Sequence, residues 1–177
     1  MILEYITVDK NYHHLSKIKY LFDHAFPIEE RPPFSRLLEM KKNTLFGVEQ
    51  SGELVGLLSI VARDDLLYIF FLAVKEKLRG KGYGSKILQD VLKEHPNKRV
   101  FLMAEDPSIP SSNQEERDSR IRFYNHNGFR VTDTKITEYG VEYVVLSNSG
   151  DVSKNEFLNL MEYLLDDYYS IYKNYVE

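Results

Sequence analysis

The sequence predicts an α/β fold of the mixed, α+β kind, with a largely antiparallel central sheet of about seven strands. Three observations carry that reading. Leu66–Val74 is a run of nine apolar residues rich in aromatic and β-branched types. It is too short to cross a membrane and suits a strand buried on both faces. Between this run and the next apolar strand, Arg99–Ala104, lies a glycine-rich turn with an amphipathic helix, a crossover that makes the two strands parallel. Three strand-like stretches precede the run, and a hairpin pattern closes the sheet after it.

In chain order, Ile2–Val8 alternates well enough for a first strand. Leu15, Ile18, Phe22 and Ala25 then mark one side of a helix spanning about Asn11 to Phe26, which Pro27 stops. The stretch Phe26–Phe34 restarts a helix, since proline is tolerated in a first turn, and Phe34, Leu37 and Leu38 give it an apolar side. Thr44–Gln50 and Leu54–Ala62 read as strands joined by a two-residue turn at Ser51-Gly52, with Gly56 marking a bulge. After the turn Arg63–Asp65 comes the central run. The helix beyond it shows Tyr83, Ile87, Leu88, Val91 and Leu92 on one face and cannot pass far beyond His95, because Pro96 follows. Glu105–Arg117 is polar, holds two prolines and reads as a long loop. A helix over about Glu116–His126 ends at Asn127-Gly128 in a left-handed cap. Phe129–Lys135 and Val141–Ser147 form the last hairpin around Tyr139-Gly140. Asn148–Asn155 is a polar hinge. Beyond it Phe157, Leu160, Met161, Leu164, Leu165, Tyr168, Tyr172 and Tyr175 outline an added amphipathic helix. Its apolar side is expected to pack on the preceding residues or on a second subunit of a homodimer.

The chain length of 177 residues favours one domain with a sizeable core, and 43% apolar with 28% charged residues is ordinary for a folded protein. A net charge of −4 argues against nucleic acid as a partner. The absence of cysteine excludes disulfides, thiolate metal sites and a cysteine nucleophile. Five histidines, at 13, 14, 24, 95 and 126, show no ligand spacing, and no metal is expected. The first residues lack the basic and apolar segments of a leader, so a cytoplasmic protein without a membrane partner is the expectation.

The stretch with chemical content is Arg79-Gly80-Lys81-Gly82-Tyr83-Gly84, at a strand-to-helix junction. The first N–H groups of a helix have no intrahelical acceptor, and the dipole adds positive charge there. Glycines 80, 82 and 84 leave the backbone approachable, and Arg79 and Lys81 add full charges. The fitting ligand is a phosphate or pyrophosphate, although such turns also serve simply to redirect a chain. A P-loop is excluded because no Lys-Ser or Lys-Thr follows the last glycine, and the dinucleotide fingerprint because the glycines fall at every second position.

Arg79, Gly82 and Gly84 spell R-x-x-G-x-G after a strand ending Leu72-Ala73-Val74. This resembles the acyl-CoA-binding motif of the GNAT superfamily of N-acetyltransferases. Phe123-Tyr124-Asn125-His126-Asn127-Gly128-Phe129 is similar to a second GNAT signature, F-Y-x-x-x-G-F, and Phe26–Phe34 looks like one bacterial subgroup. The resemblance runs from Met1 to about Ser147, which makes residues 1–147 the expected acetyltransferase domain and 148–177 a hinge with an added helix. It implies helices on both faces of the sheet and acetyl-CoA as co-substrate, without a metal. It also implies that Arg79, Gly80, Lys81, Gly82, Tyr83, Gly84 and Ser85 hold the CoA pyrophosphate. Leu72, Ala73 and Val74 would hold the pantetheine arm, with their backbone near the thioester.

Acetyl transfer to an amine requires loss of an amine proton, stabilisation of an oxyanion and protonation of the leaving thiolate. A lysine-like amine is only about 1 in 2,500 neutral at pH 7, so its deprotonation matters. The resemblance assigns the acid to Tyr124. Many family members carry a carboxylate base in the central strand, but Tyr68-Ile69-Phe70-Phe71 has none. Glu105, Glu30 or a water relay remain for that role. The expected function is an acetyl-CoA-dependent N-acetyltransferase that moves an acetyl group to an unidentified amine of a small molecule or peptide in a ternary complex. The alternative is a non-catalytic acyl-CoA-binding or protein-interaction module.

Overall fold

A computed structural model describes residues 1–177. Seven strands form one mixed, largely antiparallel sheet in the order β1-β2-β3-β4-β5-β7-β6. The strands are β1 Glu4–Thr7, β2 Thr44–Gln50, β3 Glu53–Arg63, β4 Leu66–Val74, β5 Arg99–Glu105, β6 Arg130–Glu138 and β7 Val141–Ser147. The helices are α1 Leu15–Ala25, α2 Phe34–Glu39, α3 Tyr83–Glu94, α4 Gln114–His126, α5 Lys154–Leu165 and α6 Tyr169–Tyr172. The residues fall into two compact units, 1–62 with 69–96, and 63–68 with 97–177.

The first unit packs α1 and α2 on one face of its strands. Phe71 and Ala73, alternate residues of β4, join Leu54 and Leu57 of β3 with Ile18 and Phe22 of α1 and Leu37 of α2 in a single core. Phe22 meets Phe71 edge-on at 5.0 Å, and Arg31 covers Phe22 from 5.3 Å while pairing with Asp23 at 2.9 Å. Helix α3 takes the other face, where its Ile87 comes up to Gly56. The predicted bulge is present: Val48 pairs with Gly56 but Glu49 with Leu54, so Val55 is the extra residue. At the β2–β3 turn, Ser51 and Gly52 both have positive φ, 52° and 77°, as the two-residue hairpin demands.

In the second unit the start of β4 runs parallel to β5, with Leu66 opposite Arg99 and Tyr68 opposite Phe101. Strand β7 pairs antiparallel with β5 on one side and β6 on the other. Helix α5 begins with a capping box, in which Ser153 accepts from the Glu156 N–H and Glu156 from the Ser153 N–H. Phe157, Leu160, Met161 and Leu164 of α5 are buried, with Phe157 edge-on to Tyr68 and Phe101. Arg99 binds this helix to the β4 turn, donating to Asp65 at 2.7 Å, Glu156 at 2.6 Å and the Asp151 carbonyl at 2.6 Å.

Several boundaries differ from expectation. Strand β1 is shorter than Ile2–Val8, and Ile2 is exposed. Helix α1 starts at Leu15 rather than Asn11, because Asp9 accepts from the N–H groups of Asn11 and Tyr12 and holds residues 9–12 in a turn. Ile28–Glu30 is one 3₁₀ turn, and Arg31 is extended ahead of Pro32, so α2 is separate from it. The loop after β5 ends earlier than Arg117. Gln114 opens α4 with its side chain bonded to the Pro107 carbonyl and Asp118. The C-terminal helix is not continuous to Tyr175. It breaks at Asp166, φ 49° and ψ −125°, and the chain returns to pair Thr137 and Glu177 through two 2.8 Å backbone bonds. That return covers the free edge of β6.

Candidate active site

The predicted anion turn lies in the first unit. After β4, one 3₁₀ turn, Glu76–Leu78, leads to Arg79, and α3 opens at Tyr83 with Gly82 as its N-cap. Gly80 and Gly82 have φ of 73° and 86°, left-handed values that side chains oppose. A Cβ at either would meet nothing within 4 Å, so these glycines shape the turn, and the space beside them is open. The first bond back into the turn comes from the Lys86 N–H to the Gly82 carbonyl at 2.9 Å. The N–H groups of Tyr83, Gly84 and Ser85 therefore face outward without acceptors in the chain. No side chain caps this helix, and no acidic residue lies in its first turn. Arg79 and Lys81 are exposed, Arg79 with its Nε on the Val74 carbonyl at 3.3 Å. The Tyr83 hydroxyl donates to Gln50 at 2.5 Å, so that side chain braces the helix instead of facing the turn. Upstream, Ala73 is buried, and its carbonyl would lie 2.6 Å from a Cβ on Gly56. Gly56 thus permits β3 and β4 to approach where β4 ends, a second use of that glycine beyond the bulge.

Tyr124 lies in the second unit, near the end of α4. The Phe129 N–H donates to the Tyr124 carbonyl at 3.1 Å and the Gly128 N–H to Asn125 at 3.2 Å, with Gly128 at φ 87°. This is a Schellman cap, and the Tyr124 and Phe129 rings make its customary apolar contact at 6.3 Å. Tyr124 is half-buried, its hydroxyl has no hydrogen-bond partner in the chain, and burial pushes its pKa up against the opposing pull of Arg120. The phenol is therefore protonated at neutral pH.

The two carboxylates differ. Glu105, buried at the end of β5, accepts from Arg117 at 2.7 Å and Arg120 at 3.3 Å. Two guanidinium groups engage its two oxygens and occupy lone pairs that a base would use. These arginines, three apart on one face of α4, are readable as a pair from their spacing, but nothing in the sequence connects them to Glu105. Glu30 is exposed in its 3₁₀ turn. The neighbouring Asp106 is also buried. Burial works to raise its pKa, but bonds from Lys135 at 2.6 Å and from Ser108 hold it at about 2.

A mixed sheet with a helix whose first N–H groups lack acceptors, placed after a buried strand, is an arrangement that can receive an anionic ligand. The chain belongs to the acetyltransferase (GNAT) family, whose sequence profile matches residues 8–129, well over half its length. Solved structures agree in fold. A GNAT-family protein of Bacteroides thetaiotaomicron superposes with TM-score 0.76 at 18% identity, over 96% of this chain and 98% of that one. A GNAT acetyltransferase from Elizabethkingia anophelis with acetyl-CoA bound gives 0.58 at 17%, over 82% and 96%. A Bacillus subtilis acetyltransferase in complex with CoA gives 0.56 at 18%, over 85% and 100%. Comparison with curated protein sequences gives no match. No helix is long and apolar enough to cross a membrane.

Proposed function

We propose that the protein is an acetyl-CoA-dependent N-acetyltransferase that acetylates an amine of a small molecule or peptide by direct transfer in a ternary complex. The observation that carries this reading is the start of α3. Three N–H groups without acceptors sit behind left-handed glycines, with Arg79 and Lys81 beside them, on a chain of the acetyltransferase (GNAT) family. Gly80, Lys81, Gly82, Gly84 and the backbone of Tyr83 and Ser85 take the pyrophosphate, with Arg79 adding charge. The backbone of Leu72, Ala73 and Val74 takes the pantetheine arm and polarises the thioester carbonyl. Residues 1–147 supply the acetyltransferase domain, and 148–177 buttress it.

In the transfer, the amine nitrogen attacks the thioester carbon, a C–N bond forms and the carbonyl oxygen takes the negative charge. Collapse breaks the C–S bond, Tyr124 gives its proton to the departing thiolate, and solvent returns a proton to the phenolate. The amine proton leaves to solvent, directly or by way of Glu30, because Glu105 is committed to Arg117 and Arg120. The test is thiol release from acetyl-CoA across a panel of aminoglycosides, polyamines, small amines and peptides. Acceptor-dependent release supports the enzyme. Tight acetyl-CoA binding with no release on any amine would instead make this chain a binding module.

A further inference from the structure

We propose that His13, His14 and Glu49 form a site for one divalent transition-metal ion, of the Zn²⁺ type, in the first unit and separate from the anion turn. One ligand atom from each of the three residues lies within 4.8 Å of the other two. The His13 Nε2 is 3.2 Å from the Glu49 Oε1. A tetrahedral ion bound at about 2.0–2.1 Å separates its ligand atoms by about 3.4 Å, so this pair already has the required spacing. The His14 Nε2 lies 2.9 Å from the Gly52 carbonyl, which can only accept. Nε2 is therefore the donor in that bond, and Nδ1 is the nitrogen it leaves unengaged. A ligating imidazole commonly has its other nitrogen held in this way.

The carboxylate is the anchor. Glu49 is 3% exposed and receives the Tyr12 hydroxyl at 2.6 Å, on the same Oε1 that faces His13. Tyr12 reaches it by lying across Gly47, where a methyl group would overlap the phenol. Glu49 and Gly47 are alternate residues of β2, so both point to one face. Tyr12 thus fixes one carboxylate oxygen and leaves Oε2 without a protein donor. The imidazoles lie nearer the surface, His13 exposed and His14 half-buried. Two neutral imidazoles and one carboxylate make a set that suits zinc and its neighbours and leaves a fourth position for water. The turn at residues 9–12, which delays α1, is what brings adjacent histidines to a strand 35 residues away (49 minus 14). No sequence spacing announces that contact.

The test uses the full chain without an affinity tag, stripped by a chelator and titrated with ZnCl₂ by calorimetry and with Co²⁺ by visible absorption. One equivalent should bind, and saturating Zn²⁺ should raise the Tm by about 5–10 °C. His13→Ala, His14→Ala and Glu49→Gln should each weaken binding at least tenfold, while His24→Ala should leave it unchanged. The histidine variants lie outside the buried core, so they keep the test valid if Glu49→Gln fails to fold. No Zn²⁺ binding tighter than about 100 µM, or equal binding by a His13→Ala/His14→Ala double variant, would overturn the site.

Discussion

Replacing Gly82 by glutamate puts bulk and negative charge at the opening of α3 without touching the core. The backbone there has φ 86°, so any side chain adds strain of about 1–2 kcal/mol. The Cβ itself meets nothing within 4 Å, and the fold should survive that cost. Binding should not. A carboxylate about 4 Å from two pyrophosphate charges adds roughly 1 kcal/mol of repulsion for each in a water-like dielectric. Displacing the phosphate from one N–H removes about 1 kcal/mol more. The sum, about 3 kcal/mol, corresponds to roughly 10²-fold weaker acetyl-CoA binding. Gly140→Glu is the matched control, since Gly140 has φ 80°, equally open space and a place in the β6–β7 turn. Both variants should lose similar stability in thermal melts, and only Gly82→Glu should lose acetyl-CoA in calorimetry. Wild-type affinity in a folded Gly82→Glu protein would refute the assignment of the turn.

Tyr124→Phe should lower kcat by roughly 10²-fold with acetyl-CoA affinity little changed; wild-type turnover in the folded variant would remove the phenol from the mechanism. Phe157→Ala should cost about 3–5 kcal/mol in urea melts, because the ring is fully buried against Tyr68 and Phe101. A cost under 1 kcal/mol would mean that α5 is not integral to the fold. Acid should destabilise through two carboxylates whose folded pKa values, about 2, lie below their ordinary values of 3.8 for Asp106 and 4.5 for Glu156. A depressed carboxylate stabilises above its unfolded pKa, and that contribution disappears as pH falls toward 2. It amounts to about 2 kcal/mol for buried Asp106 and about 1 for Glu156, whose exposure screens it. Melts between pH 5 and 2 should therefore be flatter for Asp106→Asn and Glu156→Gln, and unaltered slopes would contradict this account.

Elements with one dominant signal were legible in the sequence. β4 is an unbroken apolar run, and β2 and β7 are set by the turns Ser51-Gly52 and Tyr139-Gly140 at their ends. The family resemblance covered the same motifs that the profile matches. What escaped was set by local turns and side-chain contacts that apolar periodicity does not register. Asp9 captures the N–H of Asn11 and shortens α1, but an Asx turn competes with a helix on nearly equal terms, and periodicity does not register it. The apolar period continues from Phe157 through Tyr175 on both sides of Asp166, so the break there leaves no trace in the spacing. Glu105 read as a candidate base because its partners Arg117 and Arg120 stand on a helix twelve and fifteen residues away, brought to it by the fold.

The second signature shows how a motif can have a structural reason and a chemical one at the same position. Gly128 supplies the left-handed residue of the helix cap, and Phe129 and Tyr124 supply its apolar contact. That explains the glycine and both rings, since phenylalanine at 124 would make the contact as well. It leaves the hydroxyl unexplained. The oxygen bonds to no group in the chain, and a half-buried phenol without a partner gains nothing for the fold. Burial raises its pKa, which keeps a proton on the oxygen at neutral pH, as the proposed acid role requires. The cap thus fixes the ring, and only the oxygen calls for a functional role. Tyr124→Phe, which deletes that one atom, separates the two reasons.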